Sequence, residues 1–402
     1  MSVASGRASA PVIVATRRTA IGTAGRGFAA HTVDALAAPV LSAVAHAVAP
    51  AGLAVDDVVL GNCMGPGGDV ARVAALRAGL GVEVPGVTVD RQCGSGLDAV
   101  LQASSRVRAG DAALVIAGGA ESASTAPHRL WPGTGERFTR APFAPGEFPD
   151  PDMGPAADRL AALRGISRVR QDQWAARSHA RAAAAQASGA FEAEIVVVDG
   201  VVRDDRPRGA MDLARLARFA PAFAPAWSRS SASTSGASKA RDDAGRGGTV
   251  TAGNSCGFSD GAAAMAVTTE WVAHELGLPA LRVRAAAVAA GDPALPGLGA
   301  APAARVALAR AGMTSRDLGF VEITEAFAAQ LLAVSDELAL DEELICADGG
   351  AIALGHPWGA SGALLLVRLA ARMLATDDPR AGLAACSIGG GQGIAMIVER
   401  AE

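Results

Sequence analysis

The sequence predicts an α/β fold made by internal duplication, with an irregular region inserted between the two halves. Three observations carry this. Strands alternate with helices over the first 120 residues, and runs such as Ala112-Ala113-Leu114-Val115-Ile116-Ala117 are apolar throughout, the pattern of a strand covered on both faces. That pattern stops near Ser122, and it resumes at Leu281 with matching parts. The expected boundaries are residues 1–121 plus 248–272 for the first half, 122–247 for the insertion and 273–402 for the second half.

Pro11 to Thr16 reads as the first buried strand, Asp34 to Val48 has apolar residues at helical spacing, and Asp56 to Gly61 is a second strand. Val70 to Gly79 is a helix ending on glycine. Val84, Val87 and Val89 lead into Asp90-Arg91-Gln92-Cys93-Gly94-Ser95-Gly96, beyond which Leu97, Val100 and Leu101 mark a helix closing near Gly110. Residues 127–157 are rich in Pro, Gly and charge. A helix returns at Val169 to Gly189, then a strand at Glu194 to Val198. Residues 224–247 are a Ser/Ala/Gly-rich stretch expected to be a surface loop.

A strand over Gly261 to Val267 precedes the second half. There, Leu281 to Ala286 is a strand, Ala301 to Ala311 a helix, and Gly319 to Thr324 a strand feeding a helix from Glu325. A glycine turn at 355–359 opens a long helix through Met373. Two last strands, Gly382 to Ile388 and Gly393 to Val398, flank a triple glycine.

Composition narrows the function class. The formal net charge is −4 with no long basic run, which argues against a nucleic-acid partner. Five cysteines over 402 residues do not read as a disulfide framework and favour a reducing compartment. No run of membrane-spanning length stands out, so no membrane partner and a cytoplasmic location are expected.

Cys93 falls at a strand-to-helix turn. The orphan amides and positive dipole end of a helix favour the thiolate, the nucleophilic form of cysteine. The plainer reading, a small buried cysteine in a glycine turn, is outweighed only by a second constellation. Gly355-His356-Pro357-Trp358-Gly359 places a histidine before a helix. Ser387-Ile388-Gly389-Gly390-Gly391 offers glycine amides at a strand end, and Thr324 and Glu325 stand at another strand-to-helix junction, where Thr324 serves equally as an N-cap. A nucleophilic thiol, an activating imidazole and an amide donor loop together suit acyl transfer through a thioester.

With these motifs the sequence resembles the thiolase family, the acetyl-CoA acetyltransferases and 3-ketoacyl-CoA thiolases. The likeness runs in order through Arg18 to Gly22, Gly61-Asn62, the Cys93 block, Gly118 to Ser122, Ala126-Pro127-His128 and Met153-Gly154. It continues through Gly248 to Asn254, Asp260 to Ala263, Glu325 to Ala328, Gly349 to Gly362 and Gly389 to Gly393. The resemblance implies a five-layered α-β-α-β-α arrangement of two halves, with an inserted loop domain shaping the coenzyme A site. It implies degradation or formation of a 3-ketoacyl-CoA, with a coenzyme A thioester as substrate and no further cofactor or metal. Cys93 would be acylated, His356 would activate it, and the amides of Cys93 and Gly389 would hold the oxyanion. Ser255, Cys256, Met153 and Phe327 would line the coenzyme A side, and a homodimer or tetramer is expected.

The chain departs from the family pattern at the chemistry. Ser387 stands where the family places a second cysteine as acid and base, and Cys386 stands one residue earlier. A hydroxyl is a poor proton shuttle at neutral pH. In a regular strand Cys386 is expected to point away from the site and to be unable to substitute, unless a bulge turns it. Thr324 replaces an Asn that holds a water for the enolate. Ser255-Cys256 replaces Ala-Ser, and Asp152 precedes Met153 where a His is common. Two mechanisms therefore stay open, ordinary condensation or thiolysis and a decarboxylative condensation that needs no base at Cα. A non-condensing acyl-CoA-binding or scaffold subunit is the alternative of another class.

Overall fold

The apolar runs assemble into one mixed sheet in the computed structural model, which describes residues 10–223 and 248–401. The first half supplies β1 (Pro11–Thr19), α1 (Val33–Val48), β2 (Asp57–Gly61), α2 (Val70–Arg77), β3 (Gly86–Val89), α3 (Ser95–Ala109) and β4 (Leu114–Ser122). The insertion contributes α4 (Met153–Arg164) and α5 (Arg168–Ala187), and the chain then returns to the first half as β5 (Ser259–Thr269). The second half holds β6 (Leu281–Ala290), α6 (Ala300–Ala311), β7 (Leu318–Ile323), α7 (Ala328–Leu338), α8 (Trp358–Met373), β8 (Ala381–Ile388) and β9 (Gln392–Arg400).

The duplication is visible in the strand order. In the first half it is β1-β5-β4-β2-β3, with β5 antiparallel to β1 and β4, and β2 parallel to β4 and β3. The second half repeats this as β6-β9-β8-β7, with β9 antiparallel to both neighbours and β8 parallel to β7. A single parallel bridge, Val321 to Ile345, stands where a fifth strand would pair. The two halves meet edge to edge, Val12 and Ile13 pairing with Arg282 and Leu281.

Three clusters of buried side chains separate the layers. Leu36, Val40 and Val44 of α1 and Val70 of α2 pack on Val58, Ile116 and Ala264 on one outer side. Leu308 of α6 and Leu331 and Val334 of α7 pack on Leu383, Ala385 and Ile397 on the other. Between the two sheet halves, Leu97, Val100 and Val107 of α3 interlock with Leu366 and Leu369 of α8 against Met265 on one side and Ile394 and Met396 on the other. The result is the expected helix–sheet–helix–sheet–helix stack, with α3 and α8 as its middle layer.

Some local expectations change. The α7 helix starts at Ala328 rather than Glu325. The strand expected over Glu194 to Val198 shrinks to Ile195–Val196, and the Glu194 side chain just before it accepts from Arg18 Nε at 2.6 Å. The α4 helix was hidden by Gly154 and Pro155, which read as turn residues. Proline is tolerated in a first helical turn, and a Cβ at position 154 would lie 2.0 Å from the Phe223 ring. Contrary to the expectation of no such run, α1 with the turn Ala49–Ala51 is 19 residues long with mean hydropathy 1.5, apolar enough to cross a bilayer. Here it is a core helix with one face on the sheet. The low-complexity stretch 224–247 lies outside the described residues.

Candidate active site

Glycines let the N-termini of the two middle helices touch. A Cβ on Gly96, in the first turn of α3, would lie 2.8 Å from the carbonyl oxygen of Gly359, in the first turn of α8. One on Gly119 would lie 2.0 Å from the same oxygen, so these positions exclude side chains. Cys93 and His356 immediately precede these two helices, and the duplication thereby sets a thiol and an imidazole at equivalent points.

The turn Gln92–Gly94 carries Cys93 into α3. Gln92 has φ +48°, a left-handed conformation that costs a non-glycine residue on the order of 1–3 kcal/mol. Gln92 N–H and Nε2 both donate to Asp90 Oδ1, at 2.8 and 3.1 Å, and Ser95 Oγ donates to Gln92 O at 2.6 Å. These bonds hold the strained turn. Burial pushes the Cys93 thiol well above its ordinary range, negative charge on Cys386 and Cys256 would raise it further, and its own backbone amide opposes the rise. Cys93 therefore rests as a neutral thiol. Alkylation of Cys93 by iodoacetamide is expected to keep accelerating above the ordinary thiol midpoint of about 8.5 rather than to level off near neutrality. A rate flat from pH 7 upward would contradict this.

His356 is 2% exposed. Its Nδ1 lies 2.5 Å from Ser361 Oγ, and that hydroxyl donates to Pro357 O at 3.1 Å. The hydroxyl proton being spent on Pro357, Ser361 accepts from Nδ1–H. We assign the Nδ1–H tautomer on this ground, which leaves Nε2 as a bare acceptor, buried and without a partner among the described residues. Burial lowers the imidazole to about 4, so it stays neutral and able to take a proton at physiological pH.

The third group corrects the sequence expectation. β8 is regular through Cys386 and Ser387, which face Ile394 and Gly393 across the ladder, and no bulge occurs there. The two side chains do point to opposite faces. Yet it is Cys386 that lies on the middle-layer face, packed in the cluster that holds α3 and α8, and whose charge bears most on Cys93. Ser387 Oγ donates to Gly297 O at 2.7 Å and accepts from Ala300 N at 3.1 Å and Gln330 Nε2 at 3.4 Å, on the side of α6 and α7. Strand alternation fixed that the two residues differ in direction. It could not say which direction holds the thiol of Cys93. Cys386 Sγ and Thr324 Oγ1 are 3.1 Å apart, and burial pushes the thiol up to about 12, a rise that Thr324 opposes.

Other expected residues take supporting places. Glu325 is buried and faces α5: Oε1 accepts from Trp174 Nε1 at 2.8 Å, and Oε2 accepts from Ser178 Oγ at 2.7 Å and Ile352 N at 3.1 Å. Both carboxylate oxygens thus clamp the insertion to the second half, and Glu325→Ala is expected to cost about 3 kcal/mol by stranding buried donors, measurable by denaturant unfolding. Ser255 donates to Thr251 O at 2.7 Å and forms a bridge with Phe327, while Cys256 N donates to Ala326 O at 3.0 Å. Cys256 is part-exposed, and burial raises its thiol to about 12 against the pull of Arg206. Met153 opens α4, which packs against α7 and the turn Pro296–Leu298. Gly389 starts the turn after β8, and a Cβ there would meet the Phe143 ring at 2.6 Å.

Glu121 was quoted from the sequence only as part of a motif, yet it ties the site together. Its fully buried carboxylate accepts from Asn62 Nδ2 (2.9 Å), Cys63 N (3.0 Å), Met64 N (3.1 Å) and Gly359 N (2.9 Å). Burial raises its pKa. An acid closing the apolar β4 run was the available signal. Ser361, five residues beyond His356, gave none.

The fold and site define a duplicated α/β protein with a thiol just ahead of one middle-helix N-terminus and a buried imidazole just ahead of the other. Family models described as "Thiolase, N-terminal domain" and "Thiolase, C-terminal domain" match residues 11–245 and 278–400. The chain belongs to the thiolase family. It is 39% identical to an acetyl-CoA acetyltransferase of Escherichia coli (strain K12), covering 97% of this chain and 98% of that one. It is 41% identical to a 3-ketoacyl-CoA thiolase of Escherichia coli O139:H28, over 86% and 87% of the two chains. The crystal structure of the Bacillus anthracis acetyl-CoA acetyltransferase superposes with a TM-score of 0.85 at 34% identity, covering 98% of this chain and 99% of that one.

Proposed function

We propose that the protein is an acyl-CoA C-acyltransferase that forms or cleaves a 3-ketoacyl-CoA through an acyl-Cys93 intermediate. The observation that carries this is the placing of Cys93 and His356 just ahead of α3 and α8, whose N-termini touch, with His356 Nε2 left free in the accepting tautomer among the described residues. Cys93 Sγ attacks the thioester carbonyl and its proton passes to Nε2. The amides of Cys93 and Gly389 hold the oxygen, and the coenzyme A sulfur leaves with that proton. In the cleavage direction the neutral Cys386 thiol protonates the departing Cα carbanion. In condensation Cys386 first gives its proton to His356 Nε2. Its thiolate, steadied by the Thr324 hydroxyl, removes the Cα proton, and the carbanion displaces Cys93, whose sulfur takes the proton back from His356.

Acetyl-CoA is the proposed acyl donor, as the relatives' names support. The reaction as written uses only the chain's own groups and coenzyme A thioesters. We place it in a reducing, cytoplasmic setting, which five free thiols suit. A homodimer is proposed because β3 ends the sheet with one side open to a second copy.

Intact-protein mass spectrometry after incubation with acetyl-CoA tests the reading. A single acetyl adduct supports it, and its absence with acetyl-CoA and longer acyl-CoAs overturns it in favour of a non-condensing binding role. Acetoacetyl-CoA formed from acetyl-CoA alone supports Cys386 as the shuttle. Formation only with malonyl-CoA would instead assign the decarboxylative route.

A further inference from the structure

Behind His356 lies a small cavity of about 40 Å³, lined among others by Glu322, Thr324, Leu354, Ser361 and Arg368. A water needs about 10–15 Å³ of such volume and two or more polar partners, so the space suits two or three waters. One partner is waiting. Arg368 is 5% exposed, its Nη1 donates to Glu194 and its Nη2 to Asp348, but Nε has no partner among the described residues. A buried N–H without an acceptor is costly, and such orphans mark ordered water. Ser361 Oγ, bonded to His356 Nδ1 and Pro357 O, keeps a second lone pair. Glu322 Oε1 accepts from Arg372 Nη1 at 3.1 Å, and its carboxyl also borders the cavity.

We propose that this cavity holds ordered water joining Arg368 Nε, Glu322 and Ser361 into one hydrogen-bonded chain, which makes Glu322 a positioning residue for His356. The inference rests on the acyl-transfer reading. Water that accepts from Arg368 Nε donates one proton to an ionised Glu322 and the other to the free lone pair of Ser361. A protonated Glu322 no longer accepts, and the water loses that anchor. The loss reaches Ser361 and loosens the oxygen that accepts from Nδ1–H, the bond that keeps Nε2 bare for Cys93. The groups facing Glu322 are Arg372, Arg368, Asp348 and Cys346. Burial raises Glu322 to about 7 against the pull of the two arginines, so the switch falls within the neutral range.

The sign follows. Above about pH 7 Glu322 is charged and the chain is set for catalysis, and below it the chain relaxes. Wild-type kcat should therefore fall on the acid side of neutrality. Glu322→Gln, which keeps the shape, is expected to lose that limb and to lower kcat roughly tenfold, within the range of one proton-handling group, with KM unchanged. In a double-mutant cycle with Ser361→Ala the two losses should be non-additive. An unchanged acid limb and kcat in Glu322→Gln, or strictly additive losses, would overturn the proposal. A high-resolution crystal structure of the wild type gives a readout that does not depend on the variant folding. Water within hydrogen-bond distance of Arg368 Nε and Ser361 Oγ supports the chain, and a dry cavity refutes it. An acetyl adduct on wild-type Cys93 alongside such a refutation would leave the acyl-transfer reading intact.

Discussion

Cys93→Ala is expected to abolish both the acetyl adduct and turnover, with a loss of about 10⁴-fold or more, as for other covalent nucleophiles that act as a unit with a base. The neighbouring thiols sharpen the test. Cys63, Cys256 and Cys386 lie close enough for charge to couple them to Cys93. None has the same setting: Cys63 and Cys386 are buried, and Cys256 precedes no helix N-terminus. An adduct that persists in Cys93→Ala would move the nucleophile to one of them, and peptide mapping would say which. The variant should fold normally, because losing one sulfur from a part-exposed turn leaves the Asp90–Gln92–Ser95 bonds in place.

Cys386→Ala is the second large effect. Acetylation of Cys93 should survive, since that half-reaction needs only the thiol, His356 and the amide donors. Condensation and thiolysis should fall by about 10²–10⁴-fold, the range for losing a general acid or base. The contrast with Ser387→Ala makes the assignment. Ser387 is committed to Gly297, Ala300 and Gln330, so its loss should cost about 1 kcal/mol of stability and leave the proton transfer in place. A large rate loss in Ser387→Ala with a silent Cys386→Ala would reverse the two roles. Cys386→Ser separates acidity from size. Serine fits the space beside Thr324 but is too weak an acid, so it should fail nearly as badly as alanine.

Much of this protein was legible in its residues taken alone. Continuously apolar runs and helical runs closed by glycine set the alternation of elements, because the first must bury two faces and the second one. Repetition of that alternation declared the duplication, and the structure returns it as one strand order written twice. Cys93 and His356 stand out as candidates because both fall in glycine turns before helices, and the structure places them just ahead of α3 and α8. The insertion was legible mainly as a break in the pattern, and α4 stayed hidden because Gly154 and Pro155 carry the same local signal in a helix start as in a turn.

Tertiary structure alone decided the directions. Alternation separates Cys386 from Ser387, but which face of β8 looks toward Cys93 depends on how the two sheet halves sandwich α3 and α8, and that is set by packing across hundreds of residues. The same holds for Glu121, whose four donors lie 57 to 238 residues away in the sequence. The His356 tautomer, the orphaned Arg368 Nε and the cavity beside it are likewise products of assembly. A residue's type states what it can donate or accept, and only the folded neighbours state what is left unspent.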